Sequence, residues 1–251
     1  NKFEFRMLGS QASVADPNIV LNTIVAQTFA EAVDTLSGAE NFQTACEKYI
    51  TKLLKEHYRI IFNYNGYGPD WEPEAERRGL LNNKTTADAV PEFFKRENID
   101  VFVRQGVYTE KECIARANIA LENYIKTINI EAQTMLEMGR QDIYPAVNGY
   151  IAELCSVIAA KRAVSEKMAC GEDAALAEKL STMNEAFFAA MKKLEKDLAE
   201  MPEGEGPASQ KMAHVIVPDM EAVRAIADGM ERLTSSDYWP YPTYADILFS
   251  V

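Results

Sequence analysis

One periodic run constrains this chain more than any other stretch. Ile114, Ala117, Leu121, Tyr124, Ile125, Ile128, Ala132, Met135 and Leu136 recur at steps of three and four residues, which lines one face of an α-helix. Thr109-Glu110-Lys111-Glu112 opens the run as a capping box, in which threonine and glutamate each accept from the other's backbone N–H. A continuous helix over Thr109 to Tyr144 is about 54 Å long at ~1.5 Å per residue. Pro145 interrupts a pattern that resumes through Val147, Ile151, Leu154, Cys155 and Ile158, so a kink or break is expected there rather than an end. Cys170-Gly171 stops the run. A second long helix follows from about Glu172 to Glu200, with Leu176, Leu180, Met183, Phe187, Ala190 and Leu194 at four- and three-residue steps. The short connection makes the two a helical hairpin, although three heptads suit an intermolecular contact as well.

The flanking sequence extends this to an all-α, multi-helix bundle. Asp16-Pro17 reads as a cap and first turn for a helix whose stripe is Leu21, Ile24, Val25, Thr28, Phe29, Ala32 and Leu36, ending at Ser37-Gly38. An antiparallel neighbour follows, with Phe42, Cys46, Tyr49, Ile50, Leu53, Leu54, His57 and Ile61 on its apolar face. NYNGYGPDWEP, residues 63–73, is a loop whose Tyr64, Tyr67 and Trp71 tack it to the nearest helix, with no further role assigned. A short helix ends at Gly79, and Thr85, Thr86 and Asp88 can cap another through Phe94. Residues 202–207, PEGEGP, read as a flexible linker; Pro218-Asp219 starts a last helix, and the aromatic, proline-rich tail from Ser236 reads as docked.

Composition excludes several classes of function. With 251 residues, 47% of them hydrophobic, the chain can bury a sizeable core, and a net charge of −12 argues against nucleic acid as a partner. Cys46, Cys113, Cys155 and Cys170 are far apart with no CxxC, and three sit in helical patterns as small hydrophobes, which fits a reduced, cytoplasmic setting. No apolar run reaches the ~18 residues of a membrane span and no signal-peptide pattern is present, so no membrane partner is expected. His57 and His214 are the only histidines, neither with a partner at catalytic or metal-binding spacing, and His57 reads as a core residue. Phosphate-loop motifs are absent. Glu122 and Glu131 read as a solvated helix face.

The first residues differ in kind. Lys2, Glu4 and Arg6 alternate with Phe3, Phe5 and Met7, the period of a single strand with no partner in the rest of the chain. On spacing alone, Glu4 and Arg6 are a surface ion pair, though such a pair can also hold a metal beside an anionic substrate. Without further partners they are not a complete active site.

NKFEFRMLGS, ADPNIVLNTIVA, KTTADAVPEFF, ENYIKTINIEAQTMLEM and YWPYPTYADILFSV together resemble the late part of a type III glutamine synthetase, over essentially the whole chain. The resemblance implies that Lys2–Arg6 is one strand of an active-site barrel, with residues 1–16 the end of a catalytic domain and 17–251 a helical C-terminal domain ending near its natural terminus. It implies that Glu4 ligates a divalent metal, that Arg6 is catalytic and contacts substrate or the transferred phosphoryl group, and that Lys2 stands near nucleotide. Ser10-Gln11-Ala12-Ser13 departs from the family's more regular Ser-Ser-Gln-Ser run, so no serine receives a role. For the full-length enzyme the resemblance implies Mg2+ or Mn2+ and ATP as cofactors, glutamate and ammonia as substrates and a ring-shaped homo-oligomer. The expectation for this chain is an inactive scaffold or assembly portion that binds none of the cofactors, its opening strand displaced from the barrel conformation. The alternative is a non-enzymatic helical interaction or binding module.

Overall fold

The computed structural model describes residues 13–242 and 244–249, and these are all-α. The strand expected over Lys2–Arg6 lies outside the described residues. In chain order the helices are α1 (Ala15–Leu36), α2 (Phe42–Glu56), α3 (Trp71–Arg77), α4 (Thr86–Ala89), α5 (Arg96–Arg104), α6 (Glu110–Met138), α7 (Tyr144–Val164), α8 (Gly171–Ala199), α9 (Glu205–Lys211), α10 (Val217–Glu231) and α11 (Tyr244–Phe249). They divide into two compact units, the first comprising the described residues through Lys84 together with Asp88–Ala117, the second Thr85–Ala87 and the described residues from Asn118.

In the first unit Ile99 and Phe102 of α5 and Cys113 of α6 form a small buried core against which Ile19, Val20 and Tyr108 pack. Residues 95–108 carried no sequence assignment, yet α5 is the helix that anchors α1. The capping box forms as expected. Thr109 N–H donates to Glu112 Oε2 at 2.8 Å, and Glu112 N–H donates to Thr109 Oγ1 at 3.3 Å.

α1 corrects two expectations. Its first residue is Ala15, and Asp16 sits inside the first turn, favourable to the helix dipole, instead of capping it. Its expected apolar stripe also faces outward. Ile24 and Val25 are each 51% exposed and Phe29 68%, while Thr23 and Gln27 on the opposite side are buried. The packed side is the one that carries Ile19 and Val20 against the α5 core, and its polar residues are tied down: Gln105 Nε2 donates to Gln27 Oε1 at 2.8 Å, and Gln27 Nε2 donates to Glu31 Oε1 at 2.6 Å. α2 buries no residue, and Phe42, Ile50 and Leu54 are exposed. His57 ends α2 and is exposed, so it is not a core histidine. The four cysteines are free, with Cys113 and Cys170 buried, Cys46 half-buried and Cys155, expected to pack, exposed.

The second unit is organised around α8, which packs against α7 as the expected hairpin and also against α10. Leu180, Phe187, Met191 and Leu194 of α8 are essentially fully buried with Val147, Ile216, Val223 and Met230 from its neighbours. Asn184, also buried in α8, donates from Nδ2 to the Tyr144 carbonyl at 3.2 Å.

The interruption at Pro145 is a π-helical turn, Gly139–Ile143, through which the helix continues unbroken. Tyr144 N–H donates to the Gly139 carbonyl five residues back; the widened turn absorbs the proline, whose ring would clash with the carbonyl of a regular turn. The same device recurs where a helix start was expected. Met212–Ile216 is π-helical, Val217 N–H donates to the Met212 carbonyl, and Pro218 comes next, so α9 runs on into α10. α9 begins at Glu205, so Glu205, Gly206 and Pro207 of the expected linker are helical, and Gly204 turns the chain with φ 86°. The aromatic tail docks on its own unit: the Tyr238 and Tyr150 rings lie 5.5 Å apart, and Tyr241 Oη donates to Asp142 Oδ2 at 2.6 Å.

By length and composition the continuous helix Glu110–Val164 is apolar enough to cross a membrane, where the sequence reading found no such run. Leu121, Ala132, Leu136, Val147 and Leu154 of this helix are buried in protein, although only 17% of its most apolar 18-residue window is. Residues 110–164 also carry Arg140 in an ion pair with Glu195 and Lys161 in one with Asp173, both from α8.

Candidate functional site

Lys2, Glu4 and Arg6, the residues expected to hold nucleotide, metal and phosphoryl group, lie outside the described residues. Among the described residues no three His, Cys, Asp or Glu side chains come together to hold a metal ion.

The first unit contains one tight polar cluster. Glu74 on α3 accepts from Arg77 Nε at 2.6 Å and from Arg78 Nε at 2.5 Å. Arg78 Nη1 also donates to the Ile61 carbonyl at 2.7 Å, and its guanidinium lies 5.8 Å from the centroids of both Phe62 and Trp71. The Phe62 and Trp71 rings are 4.1 Å apart and the Tyr64 ring meets Phe62 edge-on at 5.5 Å, so Trp71 and Tyr64 do tack down the 63–73 loop, with Tyr64 and Tyr67 themselves 83% and 81% exposed. Hydrogen bonds from Arg77 and Arg78 hold the Glu74 carboxyl down to about 2, from its ordinary 4.5. A depressed carboxylate contributes stability that is present above the unfolded value and lost as pH falls through the folded one. The Glu74 contribution is therefore expected to vanish between pH 4.5 and about 2, seen as a Glu74 carboxyl titration near 2 by NMR. The variant Glu74→Gln should lose less stability than the parent across that window, since only the Glu74 contribution is removed; a Glu74 midpoint near 4.5 contradicts the assignment.

The second unit contains a groove of about 520 Å³ between α6 and α10, with Phe187 of α8 among its lining residues. Its walls are apolar, from Ile130, Met135 and Met138 to Met220, Val223 and Trp239, and Glu131, Asp228 and Glu231 stand on its rim. Ile143 of the first π turn lines it too, beside Tyr241, whose hydroxyl is pushed up to about 12 by burial and by its hydrogen bond to Asp142. The volume is that of a small-molecule site, but the groove holds no arrangement of nucleophile and base.

The remaining reactive groups are structural or solvated. Burial pushes the Cys113 thiol up, away from the thiolate form a nucleophile needs. Glu122 pairs with Lys126 at 2.5 Å on an exposed face, and Glu131 is exposed, as expected for a solvated helix side. The described residues thus present exposed apolar side chains on α1 and α2 and an apolar groove on α6 and α10.

Comparison with known proteins shows what the chain is similar to. Residues 45–162 match the family model of the glutamine synthetase C-terminal domain. The whole chain is 33% identical to a glutamine synthetase of Butyrivibrio fibrisolvens, 36% of whose length it covers. It is 31% identical, over 99% of its length, to a type-3 glutamine synthetase of Dictyostelium discoideum, covering 35% of that protein. A glutamine synthetase of Bacteroides fragilis (strain YCH46) is 24% identical over the full chain. The chain therefore spans little more than a third of the length of the curated relatives it matches.

Proposed function

We propose, for a chain that carries a glutamine synthetase C-terminal domain over residues 45–162, that it is the C-terminal portion of an ATP-dependent glutamate–ammonia ligase. In that reaction the side-chain carboxylate of glutamate attacks the γ-phosphoryl group and ADP leaves; ammonia then attacks the acyl phosphate carbon, expels phosphate and loses a proton to give glutamine. The observation that carries the reading is the match to glutamine synthetases along the whole chain.

Within the longer enzyme Glu4 is one oxygen donor to a divalent metal, Mg2+ or Mn2+, whose bound form neutralises phosphate charge. Arg6 sets a fixed guanidinium against the substrate or the transferred phosphoryl group, where negative charge develops. Lys2 stands beside nucleotide. Other donors to the metal come from residues outside this chain. The helical units act as scaffold for the catalytic portion and for a homo-oligomer, in the cytoplasm.

A coupled assay of glutamine formation tests the proposal. The present chain alone is expected to form none above background, and the longer polypeptide to form it from ATP, glutamate and ammonia. There Arg6→Ala should lower kcat by about 10²–10³-fold, the usual loss when one preorganised donor to a developing charge is removed. Glutamine formation by this chain alone overturns the scaffold role, and an active Arg6→Ala enzyme overturns the assignment of Arg6. The rival interaction module predicts a longer polypeptide with no ligase activity.

A further inference from the structure

The groove between α6 and α10 is apolar along its length and acidic at both ends. α8 fixes the direction of its walls. Asn184 and Glu195 of α8 bond Tyr144 and Arg140, so the continuous helix that includes α6 runs antiparallel to α8. Met183 of α8 stands against Gly229 and Lys193 pairs with Asp219, so α10 runs antiparallel to α8 as well. α6 and α10 are therefore parallel to each other. Glu131 lies at the N-terminal end of the groove and Glu231 at its C-terminal end, with Met135, Met138, Val223 and Ala227 between them. Asp228 is also towards the C-terminal end, 3.6 Å from Arg224, the one cationic residue of the lining. Three carboxylates against one guanidinium leave the lining with an excess of two negative charges, and among the described residues neither Glu131 nor Glu231 forms an ion pair. Trp239 and Tyr241 contribute aromatic rings, which attract cations; the bond from Tyr241 to Asp142, beyond the end of α6, puts that ring at the C-terminal end. Ile130 is 64% exposed and Met138 37%, an open apolar surface of the kind that takes a ligand.

We propose that this groove binds a linear organic dication, an aliphatic chain with an ammonium group at each end. One ammonium lies at Glu131, the methylenes run over the methionines and Val223, and the second ammonium lies at Glu231 and Asp228 beside Tyr241. Charge complementarity selects that occupant. An anion is repelled at both ends, a neutral apolar molecule leaves the carboxylates unused, and a monocation uses one end only. The volume of about 520 Å³ is that of a small-molecule site. Its α10 wall, Met220 to Glu231, is about 16 Å of helix at ~1.5 Å per residue, and a chain of eight methylenes covers the apolar part once the glutamate side chains reach inward from the ends. The site goes beyond the ligase reading and does not depend on it, since every residue that lines it belongs to the second unit.

Isothermal titration of the chain with 1,8-diaminooctane tests this. Saturable binding of one molecule per chain is expected, with octylamine and the short 1,3-diaminopropane each weaker by about two- to fivefold, the range for losing one exposed ion pair, and neutral 1,8-octanediol weaker still. Glu131→Gln should weaken 1,8-diaminooctane by the same about two- to fivefold and leave octylamine unchanged, because a single ammonium takes the C-terminal end. Glu231→Gln should weaken both amines. Glu122→Gln, exposed on α6 outside the groove and paired with Lys126, should change neither, and unaltered circular dichroism shows that the variants fold. No binding at millimolar diamine overturns the proposal. So does equal affinity for the diamine and the diol, which makes the site merely apolar, and so does an equal loss in Glu122→Gln, which makes the attraction that of the net charge of −12. Binding that appears only when dilution separates a dimer, followed by sedimentation, gives the groove to a second copy and overturns it too.

Discussion

Replacing Phe187 with alanine is expected to destabilise the second unit by about 3–5 kcal/mol, the range for emptying a buried aromatic position. Phe187 is 1% exposed at the middle of α8, the helix on which both α7 and α10 pack. Its ring meets the backbone of the π turn, with Cζ 3.2 Å from where a Cβ on Gly139 would stand, and it also lines the groove between α6 and α10. Truncation removes contacts on these sides at once, and the surrounding helices, fixed by Leu180, Met191 and Leu194, close the space only in part. Urea unfolding followed by circular dichroism measures the loss as a lower midpoint. Phe187→Leu, which keeps much of the volume, should recover a large part of it. A loss below about 1 kcal/mol for the alanine variant, within the range of a surface substitution, contradicts the central place given to α8.

The substitution Gly139→Ala is expected to cost about 1–3 kcal/mol, the usual penalty for overpacking a filled core. An added Cβ would clash with Met191 Sδ and lie 3.2 Å from the Phe187 ring, and Met191 is completely buried. The methionine is flexible, but a side chain with no exposed surface has little space to move into. Glycine is therefore required here for close approach, and its conformation adds nothing, since the residue does not have positive φ. A double-mutant cycle separates the two explanations. Met191→Ala removes the clashing sulfur, so Gly139→Ala should cost at least 1 kcal/mol less in that background than in the parent, a coupling expected between residues in contact. Strict additivity would place the cost in the π turn itself.

Periodicity and capping alone made part of this fold legible. The box at Thr109–Glu112 forms with both reciprocal hydrogen bonds. Leu180, Phe187 and Leu194 are buried as the α8 pattern requires, and Trp239 and Tyr241 of the aromatic tail line the groove of the second unit. These are local rules, or rules of one helix against its neighbour in sequence. Pro145 signalled an interruption, but whether a proline kinks, ends or merely widens a helix depends on what its neighbours can hydrogen-bond and pack against. Pro218, which reads as a helix start, follows a second π turn for the same reason.

For function the sequence supplied the family resemblance and the expected trio Lys2, Glu4 and Arg6, which lie outside the described residues. By itself the sequence determined that this protein is all-α over its described residues, with a long helical hairpin around Leu180–Leu194, because a 3.6-residue period and its caps are written in the order of the residues. Only the tertiary structure decided which side of each helix faces inward. α1 and α2 have the apolar stripes of buried helices, yet α1 buries Thr23 and Gln27 through Gln105 of α5, 78 residues away, and leaves Phe29 in solvent. An apolar stripe states that a face seeks a partner; which partner it finds depends on contacts remote in sequence, and in α1 the face that met α5 carries Ile19 and Val20 beside Thr23 and Gln27.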